Sequence, residues 1–306
     1  MSDEFNIKLL DCTEQLIDEL IGFGELYYDK VSSNLNKQYL TWIYLENPYG
    51  SAKVCMAMNK DIIVGVIIYV PIFLAKHNHV QKAYFAMNVL THPQYRGKNL
   101  FGLMISHSKG FFIKRDYWLV GHPNKNAIKG WRNANMQFRE PLKIYLNKFS
   151  LFSFFRKSHI ITTCDDLKNI PDQLLQRISN SGEFFHVLFS PEFITWRFIN
   201  AVDKKYKIQL IKRDSDVIGM LITKKYKLWF DILIDVIAEP KNVAMVMKYA
   251  KRPTLIIRAG NGCVEELLGG SSWRLPFKKE LPFFVSSWQE NLDVDCSCIS
   301  LASGDF

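Results

Sequence analysis

Two passages of this chain are close copies of each other, and they lie about half a chain apart. Gln38 to Gly50 reads QYLTWIYLENPYG, and Glu192 to Ile222 reads EFITWRFINAVDKKYKIQLIKRDSDVIGMLI. Tyr39-Leu40-Thr41-Trp42 lines up with Phe193-Ile194-Thr195-Trp196, and Tyr44 with Phe198. The same offset, without a gap, pairs Gly65 with Gly219. A third anchor follows. Arg139-Glu140-Pro141-Leu142-Lys143 resembles Arg274-Leu275-Pro276-Phe277-Lys278, and the second copy is the shorter. A period this long means duplicated domains, not a solenoid. The 306 residues suit two domains of ordinary size, expected at 1–150 and 151–306 with a crossover near 149–172. Trp42 and Trp196, at matched positions, read as core residues bracing each half.

Each copy mixes helix and strand patterns. Residues 13–30 read as an amphipathic helix capped by Thr13. KVCMAMNKDIIVGVIIYV follows as two strands joined at Asn59-Lys60-Asp61. The copies part between the glycine and the third anchor. In the first, AYFAMNVL (Ala83 to Leu90) is a strand that His92 and Pro93 break. After the loop Gln94-Tyr95-Arg96-Gly97-Lys98-Asn99, helical spacing takes over at Leu100, Leu103, Met104, His107 and Phe111. The first turn of a helix carries N–H groups without internal partners at the positive end of the dipole. A diphosphate fills such a vacancy, Gly97 lets backbone approach it, and Arg96 and Lys98 add charge. In the second copy, strand-like KLWFDILIDVIA meets helix-like PKNVAMVMKYAKR through Ala238-Glu239-Pro240. That junction has no glycine and holds an acid where a phosphate would sit. The second half therefore repeats the fold and not the site.

The loop resembles the acyl-CoA pyrophosphate loop of the Gcn5-related N-acetyltransferase (GNAT) superfamily, in which Gln or Arg is followed by two residues, Gly, one residue and Gly or Ala. Gln94 and Gly97 match, and Asn99 departs. A second block, GHPNKNAIKGWRNANMQF from Gly121 to Phe138, resembles the family's segment past its fifth strand. The resemblance implies an α/β fold with mixed α+β sheets, present twice in tandem with the second copy degenerate. It implies acyl-CoA as co-substrate, with the pyrophosphate on the backbone from Tyr95 to Leu100. Asn124 would bind the pantetheine arm, beside Ala127. Trp131 stands where the family commonly has the tyrosine that protonates the leaving thiolate. An indole N–H donates but is not acidic, so that role does not carry over. Asn124 and Asn126, after Pro123, read equally as a turn and helix cap.

Acyl transfer to an amine needs oriented substrates, a polarised thioester carbonyl and a destination for the amine proton. Backbone N–H groups at Val89 and Leu90 would polarise the carbonyl. Strand alternation places Tyr84, Ala86, Asn88 and Leu90 on one face, which makes Tyr84 and Asn88 the polar side chains best set to face the site. His92 and His122 flank it, and either is a candidate base, with a water relay as the alternative.

The net charge of +9 invites a polyanionic partner. However, Lys and Arg come singly or as doublets such as Lys204-Lys205, Lys224-Lys225 and Lys278-Lys279, with no basic run. This favours a polyanionic small substrate over nucleic acid. None of the six cysteines has CxxC spacing and no His cluster accompanies them, so no metal is expected. The N-terminus is acidic and mixed, unlike a secretory signal, and the longest apolar run, Ile62 to Ala75, includes Pro71 and is too short to span a bilayer. A cytoplasmic protein without a membrane span is expected, as monomer or homodimer.

A tandem form with the CoA loop in its first half resembles GNAT sugar N-acyltransferases of bacterial surface-polysaccharide pathways. Those acylate the amine of a nucleotide-linked amino sugar, such as a dTDP-linked 3-amino-3,6-dideoxyhexose, with acetyl or 3-hydroxybutanoyl groups. The second copy would then wall the acceptor pocket, with Glu183, His186, Trp196 and Arg197 as candidates. Arg197 replaces Ile43 of the first copy, and an anionic diphosphate sugar is one reason for an arginine there. Three rival readings stay open: a protein or polyamine N-acetyltransferase, a non-catalytic acyl-CoA-binding GNAT protein, and an aminoacyl-tRNA-dependent tandem GNAT of the Fem type. The CoA loop counts against the last.

Overall fold

The computed structural model describes residues 5–76, 79–138, 142–147, 160–161, 186–202, 206–213, 216–226, 229–250, 253–259, 272–274, 282–286 and 288. In chain order the first elements are β1 (Asn6–Asp11), α1 (Glu14–Gly24), α2 (Lys37–Tyr44), β2 (Lys53–Asn59), β3 (Ile62–Lys76), β4 (His79–Thr91), α3 (Leu100–Lys114), β5 (Trp118–Gly121) and α4 (Ile128–Asn133). Then come β6 (Leu142–Asn147), β7 (Ile160–Ile161), β8 (His186–Val187), a helical turn at Pro191–Ile194 that passes into a π-helical one at Thr195–Ile199, β9 (Tyr206–Arg213), β10 (Asp216–Tyr226), β11 (Phe230–Ala238), α5 (Pro240–Met247), β12 (Thr254–Ala259), β13 (Ser272–Arg274) and β14 (Phe284–Ser286).

These form two compact units. One comprises Met1–Phe73, Gln81–Arg139 and Pro282–Asp293, and the other Leu74–Val80, Glu140–Leu281 and Val294–Phe306. Local chemistry sets the elements of the first. Thr13 caps α1, its hydroxyl accepting from the Leu16 N–H at 3.2 Å. A two-residue turn at Lys60-Asp61 joins β2 to β3, with Lys60 at φ +54° and Asn59 paired to Ile62. The sheet runs β1-β2-β3-β4-β5-β14, antiparallel except for the parallel pairing of β4 with β5. α3 buries Met104, Ile105 and Phe112 against Cys55, Ile67, Tyr69 and Leu119 of the sheet.

The second unit's sheet runs β13-β6-β12-β11-β10-β9-β7, with β11 and β12 parallel, and α5 packs Val243, Val246 and Met247 on Ile211, Leu221 and Leu233. Both sheets are mixed. Each takes its last full-width partner from the far part of the sequence. β6, which follows the first copy's motif, pairs with β12, and β14, near the C-terminus, pairs with β5.

The repeat reappears as geometry. The register between β2 and β3 skips Val64 just before Gly65, and that between β9 and β10 skips Ile218 just before Gly219. A Cβ on Gly65 would lie 3.0 Å from Met104 of α3, and one on Gly219 would lie 2.6 Å from Val246 of α5. Each glycine lets a helix close on a bulged strand. The aromatic pairs also match: Tyr39 and Trp42 have ring centroids 5.5 Å apart at 49°, and Phe193 and Trp196 5.5 Å apart at 52°.

Candidate functional site

β4 and β5 are paired only from Ala83–Trp118 to Ala86–Gly121, and β4 then runs on to Thr91 with β5 no longer beside it. A cavity of about 330 Å³ opens where they part. Ala86 to Leu90 form one wall and Gly121 to Asn124 the other. Ala127 and Trp131 of α4, Tyr27 and Tyr28 after α1, and Phe284 of β14 complete it. None of these lining residues is an aspartate or glutamate.

Five consecutive residues of one strand line the cavity because Asn88 stands at φ +48°, in the left-handed region that Asn tolerates better than most side chains. The simple alternation expected from the sequence therefore fails. Tyr84 is corrected outright: it is buried in the core against Phe111, Phe112 and Tyr117, and burial pushes its hydroxyl up to about 12. It does not line the cavity. Asn88 does, but its amide is used in holding the kink. Nδ2 donates to the Tyr44 hydroxyl at 2.6 Å and to Asn34 Oδ1 at 3.2 Å, and Oδ1 accepts from the Tyr28 hydroxyl at 3.2 Å. Tyr44, Tyr28 and Asn34 thus make Asn88 a positioning residue.

His122 lies in the cavity wall with both ring nitrogens covered from solvent, and its ring stacks on Phe283 at 4.8 Å. Burial lowers its pKa to about 4, and a hydrogen bond to the Pro282 backbone works in the other direction. The imidazole is therefore neutral at physiological pH and only weakly basic. Tyr27 and Tyr28 are both held as neutral phenols by burial, Arg96 pulling Tyr27 partly back. The Tyr27 hydroxyl is covered and has no hydrogen-bond partner among the described residues. Sequence reasoning missed Tyr27, Tyr28 and Phe284. The adjacent Tyr27-Tyr28 at the end of a predicted helix was the available signal, whereas a strand returning from the C-terminus leaves none.

The loop after β4 turns tightly into α3. His92 donates its backbone N–H to Val64 across 2.8 Å, and Pro93–Tyr95 turns once. Gly97 stands at φ +85° with no atom within 4 Å of where a Cβ would point, so the space in front of it is open. Asn99, at φ +56°, is the N-cap of α3 and makes no side-chain cap bond. The first intrahelical bond runs from the Leu103 N–H to Asn99, which leaves the N–H groups of Leu100, Phe101 and Gly102 directed outward. Asn tolerates that left-handed conformation better than most side chains. Tyr95 is anchored by an Asn59 bond of 2.9 Å, and Lys98 rests over the Tyr95 and Phe5 rings at 5.1 and 5.9 Å. Gln94, Arg96, Gly97, Lys98 and Asn99 are exposed.

Asn124 caps the turn into α4, accepting from the Asn126 and Ala127 N–H groups at 3.0 and 3.1 Å, and it lines the cavity as well. Trp131 is buried, edge-on to Phe101 at 5.1 Å and tilted against Phe284 at 4.9 Å. Among the acceptor candidates, Glu183 and the His186 side chain lie outside the described residues. Trp196 and Arg197 are corrected: both are packed in the interior of the second unit. Arg197 is 5% exposed, with its guanidinium 3.3 Å from the Tyr206 hydroxyl. Among the described residues no cluster of three or more His, Cys, Asp or Glu is placed to hold a metal, and no helix is long and apolar enough to cross a membrane.

No protein-family model matches the sequence, and no curated protein sequence matches it. Solved structures do match. A GCN5-related N-acetyltransferase from Anabaena variabilis superposes with a TM-score of 0.67 at 13% identity, covering 93% of this chain and 73% of that one. One from Kribbella flavida gives 0.65 at 10% identity, covering 92% and 71%. Saccharomyces cerevisiae N-myristoyltransferase with bound myristoyl-CoA gives 0.58 at 11% identity, covering 94% and 83%. Identities this low establish the fold: two mixed sheets with the architecture of the GCN5-related N-acetyltransferases.

Proposed function

We propose that the chain is an acyl-CoA-dependent N-acyltransferase whose donor site is the parting of β4 and β5 in the first unit. The observation that carries this reading is the pairing of that cavity with the outward N–H groups of Leu100 to Gly102 behind a positive-φ Gly97. Two neighbours of the same fold are N-acetyltransferases, and a third holds myristoyl-CoA. The N–H groups of Tyr95, Arg96 and Lys98 are donated within the loop, so of the backbone expected to hold the pyrophosphate it would rest on Gly97 and Asn99 and on the first turn from Leu100 to Gly102, with Gln94, Arg96 and Lys98 around it. The pantetheine would lie between Val89, Leu90 and Asn124, walled by Ala127 and Trp131.

The co-substrate supplies a thioester, an acyl group already activated toward an amine. The chain supplies position and electrostatics: the backbone at Val89 and Leu90, freed from β5, is the proposed oxyanion donor. The amine nitrogen forms a bond to the carbonyl carbon, the C–S bond breaks, and one proton passes overall from the amine to the departing sulfur. No side chain has to keep that proton at the end. A neutral His122 suits transient hydrogen bonding better than storage of the proton.

The proposed acceptor is the amine of a nucleotide-linked amino sugar. Its support is the resemblance of a two-copy chain with one CoA loop to sugar N-acyltransferases. We assign the donor site to the first unit. Release of free thiol from acetyl-CoA should be followed with nucleotide-linked amino sugars, a lysine peptide and spermidine. Release that depends on the amino sugar supports both parts. Release with peptide or polyamine alone would overturn the acceptor, and no release with any amine would overturn the enzyme.

A further inference from the structure

From Pro93 to Asn99 every residue is exposed except Tyr95, which is half-buried. Its N–H donates to the His92 carbonyl at 2.9 Å, so that donor is used within the turn. Its side chain is held on several sides. Asn59, the last residue of β2, donates Nδ2 to the Tyr95 hydroxyl across 2.9 Å. The ring meets His92 edge-on at 5.4 Å and Phe5, the residue before β1, edge-on at 6.1 Å. The Lys98 ammonium lies over the same ring at 5.1 Å. Asn59 is itself fixed, because it pairs with Ile62 across the β2–β3 turn. All of these residues belong to the first unit. The sequence offset that pairs Gly65 with Gly219 pairs Asn59 with Arg213, at the end of β9. There the guanidinium reaches Met245 of α5, and the junction before that helix, Ala238-Glu239-Pro240, has no glycine. The tie therefore accompanies the glycine loop.

We infer that Asn59 and Tyr95 are positioning residues of the donor site: together they pin the loop to the β2–β3 hairpin and hold Gly97, Asn99 and the first turn of α3 in the shape that receives a diphosphate, an assignment that rests on the acyl-CoA reading of this loop. Gly97 at φ +85° and Asn99 at φ +56° stand two residues apart in the left-handed region. A free loop would seldom hold both, and ordering it on binding would cost conformational entropy. A loop anchored during folding has already lost that freedom, so the ligand meets its donors in place. The Tyr95 ring also carries the Lys98 ammonium, so the same side chain holds the charge beside Gly97. Neither Asn59 nor the Tyr95 side chain has to touch the cofactor.

The test is binding of CoA to the full chain by isothermal calorimetry, and of pantetheine, which lacks the pyrophosphate, by NMR titration. Asn59→Ala and Tyr95→Phe each remove the one hydrogen bond, and Tyr95→Phe keeps the ring under Lys98. Each should weaken CoA binding about fivefold, and the double variant about fivefold also, because both remove the same bond. Pantetheine affinity should stay at the wild-type value in all three. Wild-type affinity for CoA in both single variants would overturn the assignment, as would a double variant weakened about twenty-fivefold. Equal loss of CoA and pantetheine would show a general loosening of the unit and overturn it too. A wild-type chain that binds no CoA would overturn the acyl-CoA reading itself, and this assignment with it.

Discussion

Asn88 donates its side-chain amide to the buried hydroxyl of Tyr44 across 2.6 Å while its own backbone stands at φ +48°. The kink that opens the cavity and the bond that holds it belong to the same residue. Tyr44→Phe removes one buried partner and should cost about 1 kcal/mol in chemical denaturation. Asn88→Ala removes three bonds and places a Cβ-bearing residue without local hydrogen bonds in the left-handed region, so it should cost about 2–3 kcal/mol. An Asn88→Ala protein as stable as wild type would show that the bonds do not hold the kink.

His122 sets a pH dependence. Its folded pKa, about 4, lies below the ordinary value of 6.5, so the unfolded chain binds more protons between those limits. This contribution to stability is fully present above about pH 6.5, is lost as pH falls toward 4, and changes no further below that. Melting temperature measured from pH 7 to pH 4.5 should therefore fall more steeply for wild type than for His122→Phe. Equal slopes would mean that the imidazole is not held neutral.

Trp131 is expected to be a wall of the donor site and not its acid. Trp131→Phe keeps an apolar surface but leaves a gap beside Phe101 and Phe284, costing about 2 kcal/mol. Turnover should stay within about tenfold of wild type, since no proton transfer is lost. Thiol-release kinetics check this. A Trp131→Phe enzyme without turnover, but still binding CoA, would give the indole a chemical role. A strong rise in Trp131→Tyr would show that thiolate protonation limits the rate.

Much of the fold was legible because its signals are local. Thr13 reads as a cap, Asn59-Lys60-Asp61 as a tight turn, and the sequence from Ala83 to Lys114 as strand, loop and helix; the cap, a turn at Lys60-Asp61 and the strand–loop–helix order are observed. The helix begins at Leu100, after the left-handed Asn99. The matched glycines Gly65 and Gly219 each follow a skipped residue in the register of their strand pair. What was not legible depends on partners far along the chain. The pairing of β14 with β5 brings Phe284 to the cavity and leaves no periodicity near residue 121. Tyr84 shares a face with Ala86, but it stands opposite Leu119 where β4 and β5 are still paired, so it packs in the core before the strands part. Arg197 looked exceptional beside Ile43, yet it is accommodated by Tyr206, a residue that becomes its neighbour only on folding. The crossover near 149–172 lies mostly outside the described residues.

The central claim is that acyl-CoA is held by the loop at Gly97, and isothermal calorimetry of CoA on two variants tests it most directly. A Cβ at Gly97 meets no atom within 4 Å, so Gly97→Ala carries only the strain of a positive φ. Gly97→Glu adds the same strain plus a negative charge and bulk where the pyrophosphate would rest. Wild type should bind CoA, Gly97→Ala somewhat less tightly, and Gly97→Glu at least about thirtyfold less tightly than Gly97→Ala, with equal melting temperatures for the two variants. CoA bound by Gly97→Glu as tightly as by Gly97→Ala would contradict the assignment of the phosphate site to this loop.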